Sequence, residues 1–206
     1  MKKQAAEKYE IDMCNGPLVG KILLFYIPLM LSGILQLLFN AADIVVVGRF
    51  AGNEALAAVG STSSLTNLIV NLFIGLSVGA NVLVARFYGA GQENELKDMV
   101  QTAVASSVIG GVILIFAGFF VSRPALGLMG TPEDVINHSV LYMRIYFGGM
   151  PFMMVYNFGS SVLRAVGDTR RPLYYLLIAG VVNVLLNLLF VIGFSMGVAG
   201  VALATV

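Results

Sequence analysis

Long apolar stretches alternate with short polar connections along the whole chain. Apolar runs cover approximately residues 22–47, 56–84, 100–121, 135–158 and 173–194, and each reaches the length of about 20 residues that a helix needs to cross ~30 Å of hydrocarbon. The pattern predicts five membrane-spanning helices. A sixth apolar run opens at Met196-Gly197-Val198-Ala199-Gly200, and the sequence stops at Val206, where helix carbonyls would be left without partners in hydrocarbon. The expected organisation is thus a polar tail over 1–20 and an all-α transmembrane unit over 21–206, cut within its sixth helix and belonging to a longer protein.

Within those runs, polar positions are few and patterned. Asp43 is the one carboxylate in any long apolar segment; the other ten acids lie in the tail or in connections. An acid near the middle of a membrane helix costs about 2.5 to 3.5 kcal/mol on insertion scales, so it marks an ion or substrate pathway unless it serves only to hold helices together. Ser32, Gln36, Asn40 and Asp43 are spaced by four, four and three residues. At 100° per residue that confines them to an arc of about 80°, one polar face of the first helix. Asp43 precedes Gly48, the expected outer end of that helix, by five residues, which puts it roughly 7 Å below the boundary. On the second helix Gly60, Ser64, Asn67, Asn71 and Gly75 share a face, which suits either a cavity wall or close helix packing. The fifth carries Asn183 and Asn187 one turn apart. Together with Asp43 and Thr205 these amides would supply the oxygen ligands that hard cations require. On the fourth, Tyr142, Tyr146, Met150, Met153 and Asn157 follow helical spacing and would form either an adaptable wall for varied organic ligands or ordinary packing.

Composition narrows the class. Hydrophobic residues make up 58%, charged residues 11%, and the mean hydropathy is +0.89, which is a membrane protein in contact with the lipid bilayer. A net charge of +1 without a basic block argues for no nucleic-acid partner. Cys14 and His138 are each alone, so neither zinc nor Ser-His-Asp chemistry is supported, and we expect neither an enzyme nor a cofactor. Nine of the twelve basic residues (Lys2, Lys3, Lys8, Lys21, Arg86, Lys97, Arg164, Arg170 and Arg171) fall on one side of the predicted membrane and two, Arg49 and Arg123, on the other. That asymmetry places the N-terminus in the cytoplasm and the protein, multi-pass, in the plasma membrane. Arg144 lies a turn or two inside the fourth span, free to snorkel outward or to face the bundle. Thr131-Pro132-Glu133-Asp134 predicts a helix cap, a first-turn proline and acids on the positive end of that span.

Three features, taken in order, carry a family resemblance. Pro28 is followed fifteen residues later by Asp43 in Ala-Asp-Ile-Val-Val-Val-Gly-Arg. The cytoplasmic turn reads Leu163-Arg164-Ala-Val-Gly167-Asp168-Thr169-Arg-Arg-Pro172, and Asn183 and Asn187 precede Gly200-x-Ala-x-Ala-Thr205. From about Lys21 onward the chain resembles the N-terminal half of the multidrug and toxic compound extrusion (MATE) family. The resemblance implies a twelve-helix, two-lobe transporter of which this is the first six-helix lobe, with a C-terminal lobe to follow. It further implies export of small organic, often cationic, drug-like compounds against protons or sodium. Asp43, Asn183, Asn187 and Thr205 then match the ion-coupling positions, Pro28 a bending point, and Asn157 a polar position on the fourth helix. Gln36, Asn40, Asn67, Tyr146 and Met153 would line the substrate cavity with it. Some relatives carry an acid where Asn187 stands, so here Asp43 is the sole titratable group and the coupling ion stays open.

Two other readings remain at this point. One is a lipid-linked oligosaccharide flippase of the same superfamily, whose cavity should be strongly cationic, against which Arg144 is the one basic residue inside a span. The other is a non-transporting membrane module in which Asp43 is only helix-to-helix glue.

Overall fold

The computed structural model describes residues 18–206; most of the tail expected over 1–20 lies outside the described residues. Every described element is helical. In chain order these are α1 (Leu18–Val46), α2 (Asn53–Gly89), α3 (Glu93–Leu128), α4 (Glu133–Gly148), α5 (Met150–Ala165), α6 (Arg170–Leu188) and α7 (Gly197–Thr205). Two π-helical turns, Val47–Ala51 and Leu189–Gly193, extend α1 and α6.

Four helices are long and apolar enough to cross a membrane: Leu18–Ala51, Asn53–Gly89, Glu93–Leu128 and Arg170–Gly193. The fourth expected span, 135–158, is not one helix. It breaks at Gly149 into two 16-residue pieces, α4 and α5, because Pro151 brings no N–H to the carbonyl of Phe147 and the chain turns there. The break also makes room, since a Cβ at Gly149 would collide with the Val206 side chain at the end of α7. The cap before α4 differs as well. Pro132 itself holds the cap position, with φ −55° and ψ 145°, and no side chain caps it, whereas Glu133 and Asp134 do fall in the first turn.

Small residues let several helices approach closely, and many large apolar side chains stay exposed, the arrangement that lipid surroundings favour. On α3 a Cβ at Gly110 would stand 2.8 Å from the Phe73 ring, one at Gly111 would strike the backbone of Pro151, and one at Gly118 would strike Phe147. These glycines therefore seat α2, α5 and α4 against α3. Interhelical hydrogen bonds add to this seam: Asn81 Nδ2 donates to Ser161 O at 2.6 Å, Ser161 Oγ to Ser77 O at 2.9 Å, and the Ser61 and Ser139 hydroxyls lie 2.9 Å apart. Separately, α1 pairs with α6, and α7 packs on α4, on α6 and on both π turns. At the turn before α6 Asp168, 1% exposed, accepts the backbone N–H groups of Arg170 and Arg171 at 3.1 Å each and pairs with Arg171 Nε at 3.2 Å. It caps the positive end of α6 with a carboxylate.

Candidate ion-coupling site

The site grows out of the α1–α6 seam. Near its middle the Phe39 ring lies where a side chain at residue 180 would go, so Gly180 is what lets the two helices approach. One turn after Phe39 comes Asp43, and two turns after Gly180 comes Asn187, so the same faces bring these two polar groups together. Asn187 Nδ2 donates to Asp43 Oδ1 at 2.6 Å. Its amide is fully buried, at 0% exposure, while Asp43 is half-buried. From there a chain of amides leads to α7: Asn187 Nδ2 lies 3.5 Å from Asn183 Oδ1, and Asn183 Nδ2 donates to the carbonyl of Ala204 at 3.1 Å. Thr205 stands next to that carbonyl, but its hydroxyl donates to Val201 O of its own helix at 2.9 Å.

One atom of this amide chain has no partner within the described residues. Asn187 Oδ1 is buried without a hydrogen-bond partner. A buried amide oxygen left unpaired costs roughly 1 to 3 kcal/mol, so it is either a functional acceptor or a defect. The same amide contacts the Asp43 carboxylate and Asn183 Oδ1 through its nitrogen, so a turn of the amide would offer hard oxygens of the kind a proton or a monovalent cation takes. Among the described residues no group of three or more His, Cys, Asp or Glu side chains could hold a metal.

Asp43 lies deeper than its distance from Gly48 suggested. The helix continues as a π turn to Ala51, eight residues beyond Asp43, or roughly 12 Å along the axis. Tyr142 on α4 is buried and stacks on Tyr146, centroids 6.0 Å apart and planes 16° from parallel.

The remaining candidates separate. Gln36, Asn40 and Asn67 are exposed on this lobe and take no part in the amide chain. The face of α2 from Gly60 to Gly75 is open too, while Thr62, Thr66 and Ser77 form the buried polar face and bond back to their own helix. On α4 and α5, Tyr142 and Met150 belong to the core, and Tyr146, Met153 and Asn157 are half-buried, Tyr146 Oη lying 3.8 Å from Met153 Sδ. Pro28 is buried, and its carbonyl accepts a bond from Ser32 Oγ at 2.8 Å. Arg144 is exposed and lies over the Phe119 ring, 4.4 Å from its centroid, so it snorkels along α3 and does not enter the bundle.

Against known proteins, a family model described as MatE matches residues 28–189, most of the chain and the whole α1–α6 seam. The chain belongs to the MATE family. It is 38% identical over 187 residues to the "Probable multidrug resistance protein YoeA" of Bacillus subtilis, covering 89% of this chain and 40% of that protein. Solved structures of MATE in the bent and in the straight conformation each superpose with a TM-score of 0.83 at 28% identity, covering 90% of this chain and 41% of theirs. The chain thus spans about 40% of the length of these relatives, as a partial N-terminal half.

Proposed function

We propose that this chain is the N-terminal lobe of a twelve-helix, two-lobe MATE exporter in the plasma membrane, which expels organic, often cationic compounds in exchange for protons or sodium. The observation that carries the reading is the bond between half-buried Asp43 and buried Asn187, with its unpaired neighbouring oxygen, Asn187 Oδ1. As an ionised acceptor, Asp43 holds the amide nitrogen of Asn187. When it takes up a proton it becomes a donor, and the Asn187 amide turns so that its oxygen accepts that proton. Sodium would act on the same atoms, binding the carboxylate together with Asn187 Oδ1 and Asn183 Oδ1. Either event changes the pull on Asn183, whose other end holds the α7 backbone at Ala204.

Pro28 gives this change somewhere to act. It has no N–H, so the carbonyl of Leu24 lacks its helical partner and α1 bends there without breaking a bond. Solved relatives are described in a bent and in a straight conformation, so two forms exist within the family for such a bend to connect. Gln36, Asn40 and Asn67, exposed here, would face the second lobe across the substrate cavity, with Asn157, Tyr146 and Met153 behind them. The energy is sufficient: one charge crossing ~100 mV contributes about 2.3 kcal/mol and one pH unit about 1.4, enough together for a gradient of several hundred-fold.

The test uses the full-length transporter in proteoliposomes, with a fluorescent organic cation as cargo and an imposed pH or sodium gradient. Gradient-dependent, saturable export is expected. Movement of a lipid-linked oligosaccharide without movement of the cation would favour the flippase reading instead.

A further inference from the structure

The two π turns stand in matching places. One begins four residues after Asp43 and the other two residues after Asn187, the partners of the central hydrogen bond. They touch one another, and α7 packs on both. Each seats one valine, Val47 at 0% and Val191 at 4% exposure, in a single apolar cluster with Val198, Val201 and Ala202 of α7. Each also ends in a left-handed residue or just before one: Gly52 has φ 89° and Ser195 has φ 53°, the latter being the one non-glycine residue with positive φ among those described. In the second turn the wide register is explicit, since Phe194 N–H donates to Leu189 O, five residues back, at 3.1 Å. A π turn is an α-helix holding one residue too many, rare because its packing is poorer, and it reverts to α by passing that residue along.

We propose that the two turns form a paired register switch which couples the Asp43–Asn187 site to the outer end of the lobe; the proposal rests on the ion-coupling reading of that site. Reversion of one turn rotates the segment beyond it by about 100° and moves it by about 1.5 Å. That withdraws Val47 or Val191 from the shared cluster and frees α7, which carries Ala204 and Thr205. Loss or gain of the Asn187 bond just inside the turns shifts the balance between the two registers. Gly48 and Gly193, one in each turn, keep the α register from winning, because glycine favours α-helix less than alanine does. A Cβ at either position meets only a leucine side chain at 3.5 Å, an ordinary contact, so alanine fits there without strain.

The experiment places spin labels at Phe50→Cys and Phe194→Cys, both exposed, in the full-length transporter freed of other cysteines and held in nanodiscs. Distances are measured by pulsed electron resonance at low and high pH and with saturating sodium. The expected result is two distance populations whose ratio follows the ion that drives export. Gly48→Ala and Gly193→Ala should each shift that ratio about fivefold toward one population, as the change in helix propensity requires, with the ion-dependent stabilisation retained. One ion-independent distance in the wild type overturns the switch. If export is nonetheless lost in Asp43→Asn, the ion-coupling reading stands without it; if Asp43→Asn exports normally, that reading falls as well.

Discussion

Replacing Gly180 by alanine tests whether the α1–α6 seam holds the site together. The new methyl group would occupy the space of the Phe39 ring, so the ring must leave or the helices must separate. Helix propensity alone favours the change by about 0.8 to 1 kcal/mol. Overpacking of a seated ring costs about 1 to 3 kcal/mol. Separation would also stretch the 2.6 Å bond from Asn187 to Asp43. A hydrogen bond to a charged group contributes roughly 1.5 to 3 kcal/mol, so partial loss alone cancels the propensity gain. The net expectation is a destabilisation of about 1 to 3 kcal/mol. The assay is a double-mutant cycle in detergent by thermal unfolding, using Gly180→Ala, Phe39→Leu and the pair. Phe39→Leu empties the ring space, so the pair should be more stable than the sum of the single changes, with a coupling of about 1 kcal/mol or more. Gly180→Ala as stable as wild type, with no coupling to Phe39, would refute the reasoning.

Other substitutions probe the rest of the lobe. Pro28→Ala restores the missing backbone donor, so full-length export should fall while thermal stability is kept or rises; unchanged resistance to a toxic cation at equal expression would remove the bend from the cycle. Ser161→Ala deletes the donor to Ser77 O between α5 and α2 and should cost about 1 kcal/mol without altering ion dependence, read as a lower unfolding temperature with an unchanged export rate per folded molecule. Asn187→Leu leaves Asp43 without its buried donor and removes one candidate ion ligand; saturable ion-dependent stabilisation should weaken by at least about tenfold, the equivalent of ~1.4 kcal/mol.

Much of this was legible from the residues. Asp43 announced itself because hydrocarbon makes a carboxylate expensive, and Asn183 and Asn187 because amides in lipid must find partners. What periodicity gives poorly is which face meets which neighbour. The Gly60 to Gly75 face of α2 suited either a cavity wall or close packing and lies open, whereas the buried polar face runs through Thr62, Thr66 and Ser77, where hydroxyls bond to their own helix and leave no sign in the spacing. The break at Gly149 did have a signal, Gly148-Gly149 followed by Pro151, which the strength of the apolar run outweighed. The π turns had little: Val47–Ala51 and Leu189–Gly193 each hold one glycine, which is too common in membrane helices to mark them, and both pack against α7, which periodicity does not show.

The central claim is that Asp43 couples an ion to export, and Asp43→Asn in the full-length transporter tests it most directly. The substitution keeps size and hydrogen-bonding capacity but neither takes up a proton nor offers a cation a charge, and it relieves the cost of a buried ionised acid. We predict a protein folded at least as well as wild type that binds its cargo in detergent yet shows no gradient-driven export in proteoliposomes, and that has lost whichever ion-dependent stabilisation, sodium or pH, the wild type displays. Gradient-driven export by Asp43→Asn at the wild-type rate would contradict the account.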